Sequence, residues 1–466
     1  MAPDLSEKKR IHIIGVGGAA MSAIAHIATR MGHVVTGSDQ SPSPAIDRLR
    51  SEGLDLWTPH DAERIGTPDL VMLSAAVPVM NPELVTARER NISVATRADV
   101  MESLGRLRRT IAISGTAGKT TTSAMMATVA ATAGLKPSMI VGATIHGFGN
   151  GVEWNDSEWL VVEADESDGS FLRFGAEAVI VTNIEPDHLD FWGSMGALEA
   201  GFDEFVQQAT GPKVINLDDP GCRALLRRVG PIAGLITFGT NADASYRMLN
   251  YAAAGLNSSF EVLSAGRSAI PVSLGVPGKH NAMNAVAALA MAIELGLAPV
   301  DATKGLADFR GASRRFEFRG VGNGVTFVDD YAHLPAKARS AVDAALLGNW
   351  PRVVAVYQPH RYTRTRDLWQ DHRDSFVGVD MLIVTGIYAA GQQPIPGVSG
   401  KLIADEVLRV HPNQRVIYCE TRDELVATLT RELREGDLCL TMNAGDLTTL
   451  PDQLLNSPWN KSRSAT

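Results

Sequence analysis

The chain has 466 residues, with 43 Lys and Arg against 52 Asp and Glu and a formal net charge of −9. That length predicts about three domains at roughly 150 residues each, and 45% hydrophobic with 20% charged residues excludes a wholly disordered chain. The acidic balance argues against broad binding to nucleic acid or to membranes, and three scattered cysteines, Cys222, Cys419 and Cys439, argue against a disulfide framework or structural zinc and fit a reducing cytoplasm.

Lys8, Lys9 and Arg10 precede the apolar run IHIIGVGGAAMSAIAHIA, which superficially resembles a secretory signal. His12 and His26 interrupt it, however, and its glycines come early, where a strand turns into a helix. No other stretch is long and apolar enough to span a bilayer, and the protein reads as soluble. β-Branched runs then alternate with longer alanine-rich helical segments, the pattern of parallel βαβ units. HVVTGSD is a second strand ending in Asp39, and LVMLSAA and NISVATR are two more. A basic stretch at Gly105–Arg109 precedes the strand TIAISG and marks a first domain boundary. LVVEADES, AVIVTNIEPDH and KVINLDD supply further strands, and the polar stretch Asn241–Gly278 is expected to add antiparallel ones. Glycines near Phe318–Gly324 mark a second boundary, after which RVVAVYQ, MLIVTGIY, QRVIYCE and DLCLTMNAG alternate with helices. The tail NSPWNKSRSAT is expected to fray.

The strongest chemical signal is ISGTAGKTTTSAMM. A strand ends in Gly115, a tight loop follows, and Lys119-Thr120-Thr121 opens a helix. Glycines let backbone amides approach phosphate oxygens, the helix start favours negative charge, and the lysine neutralises the terminal phosphates. The Thr120 hydroxyl suits a magnesium shell. Ile113 stands where the general phosphate-loop pattern has its first glycine, so this is a shortened variant. Gly15, Gly17 and Gly18, with Asp39 ending the next strand, form a weaker dinucleotide-type fingerprint in which Ala20 takes the third glycine's place. Two such turns in one chain point to a nucleoside triphosphate and a nucleotide-linked substrate.

Carboxylates follow at strand ends: Glu163, Asp165, Glu166 and Asp168 after one strand, Asp187 and His188 after another. Glu163 and His188 could hold magnesium near the phosphates, while Asp165, Glu166 and Asp168 read equally well as a solvated acidic loop. In the last third, His360, Arg361, Arg364 and Arg366 cluster where a parallel strand ends, and guanidinium forks match carboxylates or phosphates. Asp330, Tyr331 and His333 end another strand.

Taken together and in order, GTAGKTTT, EADESDGSFL, TNIEPDHLD, GKHNAMNAVAA, RRFE, DDYAHLP, QPHRYTRTRDL and YAAGQQPIPG resemble the Mur ligase family, from about Arg10 to about Leu454. QPHRYTRT and YAAG…PI resemble its alanine-adding branch. The resemblance implies an α/β fold in three domains: a Rossmann-like UDP-sugar domain (1–107), a P-loop ATP-binding domain (108–319) and a C-terminal Rossmann-like amino-acid domain (320–466). It implies an ATP-dependent ligase that joins L-alanine to the carboxylate of UDP-N-acetylmuramate through an acyl phosphate, in the cytoplasm, as a monomer or homodimer without nucleic-acid or membrane partners.

By the same resemblance Gly15, Gly17, Gly18, Ser38, Asp39 and Ser74 bind the UDP-sugar. Gly115, Thr116, Ala117, Gly118, Lys119, Thr120, Thr121, Asn281, Asn284, Arg315 and Asp330 bind ATP. Thr120, Glu163 and His188 ligate Mg2+, and Tyr331, His360, Arg361 and Arg364 surround the amino acid. His333 or His360 is the candidate base, alongside Lys119, His188, Arg361 and Arg364 in catalysis. Departures from the family pattern bear on turnover rather than on reaction type. Ala117 replaces a usual His, Ala19-Ala20 replaces a more glycine-rich turn, and MNAGD lacks a usual first glycine. DDYAHLPAK differs from the commoner form of its motif, and no lysine lies between His188 and Lys213 to be carbamylated as in some other members. Alternatives implied at this stage are a peptide-recycling ligase that takes a tripeptide and a weakly active nucleotide-binding homologue.

Overall fold

The computed structural model describes residues 2–74, 76–266 and 268–461. Contacts divide the chain into two units, one of Met1–Leu249, Val262–Ile270 and Asn284–Leu306, the other of Asn250–Glu261, Pro271–Met283 and Ala307–Thr466.

The first unit opens with a parallel sheet in the order Asp55–Trp57, Val34–Ser38, Arg10–Ile14, Leu70–Leu73, Ser93–Thr96. Strand order reverses about the central strand Arg10–Ile14, which is where open α/β sheets bind ligands. The apolar N-terminal run is therefore strand, glycine turn and the helix Ala19–Arg30. Neighbouring helices begin on side-chain caps: Ser43 for Pro44–Ser51, Asn81 for Pro82–Glu89, and a Thr96/Asp99 capping box for Arg97–Arg106. By contrast, the helices Ala19–Arg30 and Lys119–Thr132 begin on Gly18 and Gly118 without a side-chain cap.

The second sheet has its parallel core in the order Leu235–Gly239, Lys213–Asn216, Ala178–Val181, Arg109–Ser114, Trp159–Glu163, Ser138–Ile140. Buried on both faces, these strands read as continuous apolar runs. The polar stretch after Asn241 forms the strands Tyr246–Ala254, Asn257–Ser264 and Ile270–Leu274. The first of these enters parallel to Leu235–Gly239, Phe238 facing Tyr246, while the two-residue turn Gly255-Leu256 makes Tyr246–Ala254 and its neighbour Asn257–Ser264 the expected antiparallel pair.

The second unit holds a sheet in the order Glu317–Gly322, Val325–Asp330, Asp437–Met442, Arg352–Tyr357, Met381–Thr385, Val416–Cys419, antiparallel only between its first two strands. The strand Glu317–Gly322 spans the break expected at 319/320, because it pairs with Val325–Asp330. The glycines that suggested a linker lie in this pairing, where the register shifts between Phe318 and Gly320. Among the described residues no helix is long and apolar enough to cross a membrane.

Part of the tail expected to fray is docked. Pro458–Lys461 is a helical turn, the Trp459 ring meets Phe327 edge-on at 6.3 Å, and Asn323 donates its side-chain NH2 to the Trp459 carbonyl and its backbone N–H to the Asn460 side-chain oxygen at 3.1 Å. Residues 462–466 lie outside the described residues. A half-buried aromatic anchor accounts for the order, so Trp459→Ala is expected to lose about 1–2 kcal/mol. That loss reads as a roughly tenfold rise in amide exchange across Val325–Asp330, and unchanged exchange would show the tail to be detached.

Candidate active site

The phosphate loop is built from the backbone outward. Gly115 has φ +136°, and a Cβ there would stand 2.1 Å from the Thr182 hydroxyl; Gly118 has φ +84°, with the Asn284 side-chain oxygen 2.8 Å from where a Cβ would be. Only glycine allows these turns and this closeness. Asn183 then pins the loop: its carbonyl accepts from the Thr116 amide (3.1 Å), its side-chain oxygen accepts from the Ala117 amide (2.8 Å), and its side-chain NH2 donates to the Ala117 carbonyl (3.0 Å). Thr182 also donates to the Ala117 carbonyl, at 2.6 Å. Ala117 thus contributes through backbone alone. The amides of Lys119, Thr120 and Thr121 open the helix beyond it, a ready seat for an anion.

Lys119 projects its Nζ onto both carboxylate oxygens of Glu166 (2.9 and 2.8 Å) and the Gly115 carbonyl (2.8 Å). Glu166 is fully buried. Burial pushes its carboxyl above the ordinary range, and the Lys119 charge opposes that rise. Thr120 donates to Glu163 at 2.7 Å, and Glu163 also accepts from the Gly142 amide at 2.8 Å. Asp165, Glu166 and His188 offer ligand atoms all within 4.8 Å of one another. Hydroxyl and carboxylate oxygens with one imidazole form a donor set that fits magnesium. His188 is grouped here with Asp165 and Glu166 rather than with Glu163. The acidic loop is therefore engaged and not merely solvated: Glu166 holds Lys119, and Asp168 pairs with Arg97.

In the N-terminal turn, the Gly15 and Val16 amides donate to the Ser38 carbonyl (2.8 and 3.0 Å), the Gly18 amide donates to the Gly15 carbonyl, and the Gly17 amide donates to the Asp39 carboxylate at 2.8 Å. The glycine amides are thus spoken for, and the exposed start of the helix at Ala19 and Ala20 is the surface left for an anion. Ser74 stands beside Gly15. Ser38 is fully buried, and its hydroxyl donates to Glu83, so its side chain supports the turn from beneath.

In the second unit the residues expected around the amino acid form a stack. Arg314 and Arg315 lie over the Tyr331 ring (4.7 and 4.8 Å), Tyr331 meets His333 at 5.0 Å, His333 meets His360 at 5.6 Å, and His360 stacks on Tyr388 at 5.8 Å. Arg364 donates to His360 Nδ1 at 2.8 Å, which leaves His360 Nε2 as the protonated nitrogen of the neutral ring. His333 donates from Nδ1 to the Tyr331 carbonyl at 2.8 Å, so its Nε2 lone pair is the available one. Arg361 is exposed, enters the helix Tyr362–Leu368 with φ +70°, and binds the Tyr388 carbonyl through its amide. Asp330 accepts from the Phe316 amide at 2.8 Å; burial pushes its carboxyl up to about 6, with Arg315 opposing. Asn281, on the helix Lys279–Glu294, donates its side chain to the Pro277 carbonyl at 2.6 Å.

Three comparisons bear on this arrangement. Residues 10–109 match "Mur ligase family, catalytic domain", 113–292 "Mur ligase middle domain" and 314–445 "Mur ligase, glutamate ligase domain". The UDP-N-acetylmuramate–L-alanine ligase of Myxococcus xanthus is 40% identical over 448 residues, 96% of this chain and 94% of that protein. The chain belongs to the Mur ligase family. Among its relatives, the UDP-N-acetylmuramate–L-alanine ligase of Agrobacterium fabrum is 38% identical over 95% of this chain and 96% of its own. The UDP-N-acetylmuramate-alanine ligase structure from Thermotoga maritima superposes with a TM-score of 0.81 at 27% identity, covering 98% of this chain and all of the other. This Mur ligase thus has the three-domain α/β architecture of its family.

Sequence reasoning missed Thr182 and Asn183 as loop pins, Glu166 as the lysine's partner, and Tyr388 as the far wall of the stack. The first two sit in TNIEPDH, where attention to Asp187 and His188 hid them. It also left the two imidazoles open as bases. Burial, followed by the charges of Arg364, Arg361 and Arg314, lowers His360 to about 4. Burial outweighs the Tyr331 carbonyl and, with Arg364 and Lys337, lowers His333 to about 3. Both rings are therefore neutral hydrogen-bonding groups near neutrality and weak bases. An unfolded chain takes up these protons near pH 6.5, so the stabilisation from keeping the rings neutral is complete above 6.5 and is lost as pH falls toward 4. Histidine-selective NMR of the ligand-free protein is expected to show both rings neutral down to about pH 5; a midpoint at 6 or above for either ring would contradict this environment.

Proposed function

We propose that this Mur ligase joins L-alanine to the carboxylate of UDP-N-acetylmuramate at the expense of ATP, supplying peptidoglycan precursors in the cytoplasm. What carries the reading is whole-length likeness, at 38–41% identity, to relatives named for that reaction. The proposed domain division is 1–107 for the UDP-sugar, 108 to about 313 for ATP, and the rest, which keeps the strand Glu317–Gly322 with its partner Val325–Asp330, for the amino acid.

The substrate carboxylate attacks the γ-phosphorus, ADP leaves with the bonding pair, and an acyl phosphate forms. The deprotonated alanine amine then attacks the acyl carbon, and the tetrahedral adduct expels phosphate, which carries off the surplus amine proton, to leave the amide. In this reading the Lys119–Thr121 amides and the loop from Gly115 to Gly118 cradle the phosphates, Lys119 exchanges Glu166 for the transferring phosphoryl group, and Asn281, Asn284, Arg315 and Asp330 complete the ATP site. Thr120 with Glu163, joined by His188 from beside Asp165 and Glu166, would hold a magnesium ion, whose contribution when bound is to neutralise phosphate charge. Gly15, Gly17, Gly18, Ser38, Asp39 and Ser74 shape the UDP-sugar site, directly or from beneath. Arg361 and Arg364 offer guanidinium forks to the alanine carboxylate alongside Tyr331 and His360. His333 Nε2 accepts from the alanine nitrogen and orients it, its low basicity fitting alignment better than proton storage.

Phosphate release from UDP-N-acetylmuramate, ATP and magnesium is expected to require L-alanine. Release without an amino acid, or with a tripeptide in preference to alanine, would overturn the assignment. Lys119→Ala should lower kcat/KM by roughly 10²–10³-fold. Asn183→Ala should raise the KM for ATP about tenfold through loss of two loop hydrogen bonds, and an unaltered KM would show that the pin is dispensable.

A further inference from the structure

Beneath the first sheet lies a buried carboxylate that the reaction above does not use. Glu83, in the first turn of Pro82–Glu89, has no exposed surface. One oxygen accepts from the Trp57 indole N–H (2.9 Å) and the Asp61 amide (2.8 Å); the other accepts from the Ser38 hydroxyl and from His12 Nε2 (3.2 Å). Four donors fill the four lone-pair positions of the carboxylate. Burial alone would raise this carboxyl, but the His12, Ser38 and Asp61 hydrogen bonds hold it down near 2. The partners come from three adjacent strands and the loop after the edge strand Asp55–Trp57, while Glu83 itself follows the strand on the other side of the crevice. One side chain therefore ties together both sides of the point where strand order reverses.

The tie ends on His60. Because the Ser38 hydroxyl gives its proton to Glu83, it accepts from His60 Nδ1 at 2.8 Å. The same nitrogen is 3.5 Å from Glu83, and the His60 side chain keeps 12% of its surface exposed. Ser38 in turn receives the Gly15 and Val16 amides at its carbonyl, so His60 is one residue removed from the glycine turn. With Nδ1 committed, Nε2 is the ring atom left for a ligand. Resting on the UDP-sugar reading of this turn, we propose that His60, whose Nε2 keeps its lone pair while Nδ1 donates to Ser38, accepts at Nε2 from a ribose hydroxyl of the nucleotide-linked substrate, and that Glu83 is the positioning residue that orients it.

Calorimetry with UDP and with UDP-N-acetylmuramate on the full chain, together with the KM for each substrate, tests this. His60→Ala is expected to weaken both uridine nucleotides about tenfold and to leave the KM for ATP in place. Glu83→Gln puts an amide donor among four donors and is expected to weaken them similarly, but to add little in a His60→Ala background. That non-additivity is the mark of action through His60, whereas a purely structural Glu83 gives equal losses in both backgrounds. If Glu83→Gln fails to fold, His60→Ala still decides, since its ring reaches the surface. His60→Ala binding UDP as tightly as the parent would overturn the proposal; a parent that binds neither uridine nucleotide would instead refute the UDP-sugar reading.

Discussion

The Lys119–Glu166 pair governs the central site. An ammonium and a carboxylate withdrawn from water each lose several kcal/mol of solvation, which only close, well-aligned contact offsets. Glu166 meets that condition with both oxygens on Lys119, and burial still biases it toward the protonated form. The lysine is thereby held in place at the head of the helix Lys119–Thr132. A phosphate arriving there offers stronger charge than Glu166, so exchange of partners is favourable without rebuilding the loop. The rigidity comes from Thr182 and Asn183, just past the neighbouring strand Ala178–Val181, which clasp Ala117. Both alanine departures in the glycine turns leave the backbone groups in place for a related reason. At Ala117 the backbone is what the loop uses, and at Ala19 and Ala20 the helix-start amides survive any small side chain.

The second unit solves a different problem with the same means. A chain of net charge −9 must gather cations locally to hold anionic reactants. Here Arg314, Arg315 and Arg364 stand on or beside Tyr331 and His360. Neighbouring positive charge and burial keep the imidazoles neutral, which preserves a lone pair on His333 among guanidinium groups. Had either ring been protonated, the stack would carry like charges at short range and offer no acceptor to an amine.

Much of this was legible beforehand. Strand–turn–helix order is written in apolar periodicity and glycine position, so the parallel sheets and the loop between Arg109–Ser114 and Lys119–Thr132 fall where patterning puts them. Thr182, Asn183, Glu83 and His60 were not legible. Each acts through partners dozens of residues away, and none carries a spacing that distinguishes it from an ordinary strand-end or helix-start residue. The tail misled for a similar reason: NSPWNK is polar, and its order depends on Phe327 and Asn323, far upstream.

By itself the sequence determined the fold class, the family and the chemical identity of the groups available, because backbone geometry and hydrophobic period are local and motifs in fixed order are hard to arrive at twice. Tertiary structure alone decided which groups are paired. Whether an acidic residue is solvated or clasps a lysine, which nitrogen of an imidazole keeps its lone pair, and which side chain braces a turn all depend on distances of a few ångströms between segments remote in the chain, and local pattern carries no information about those distances.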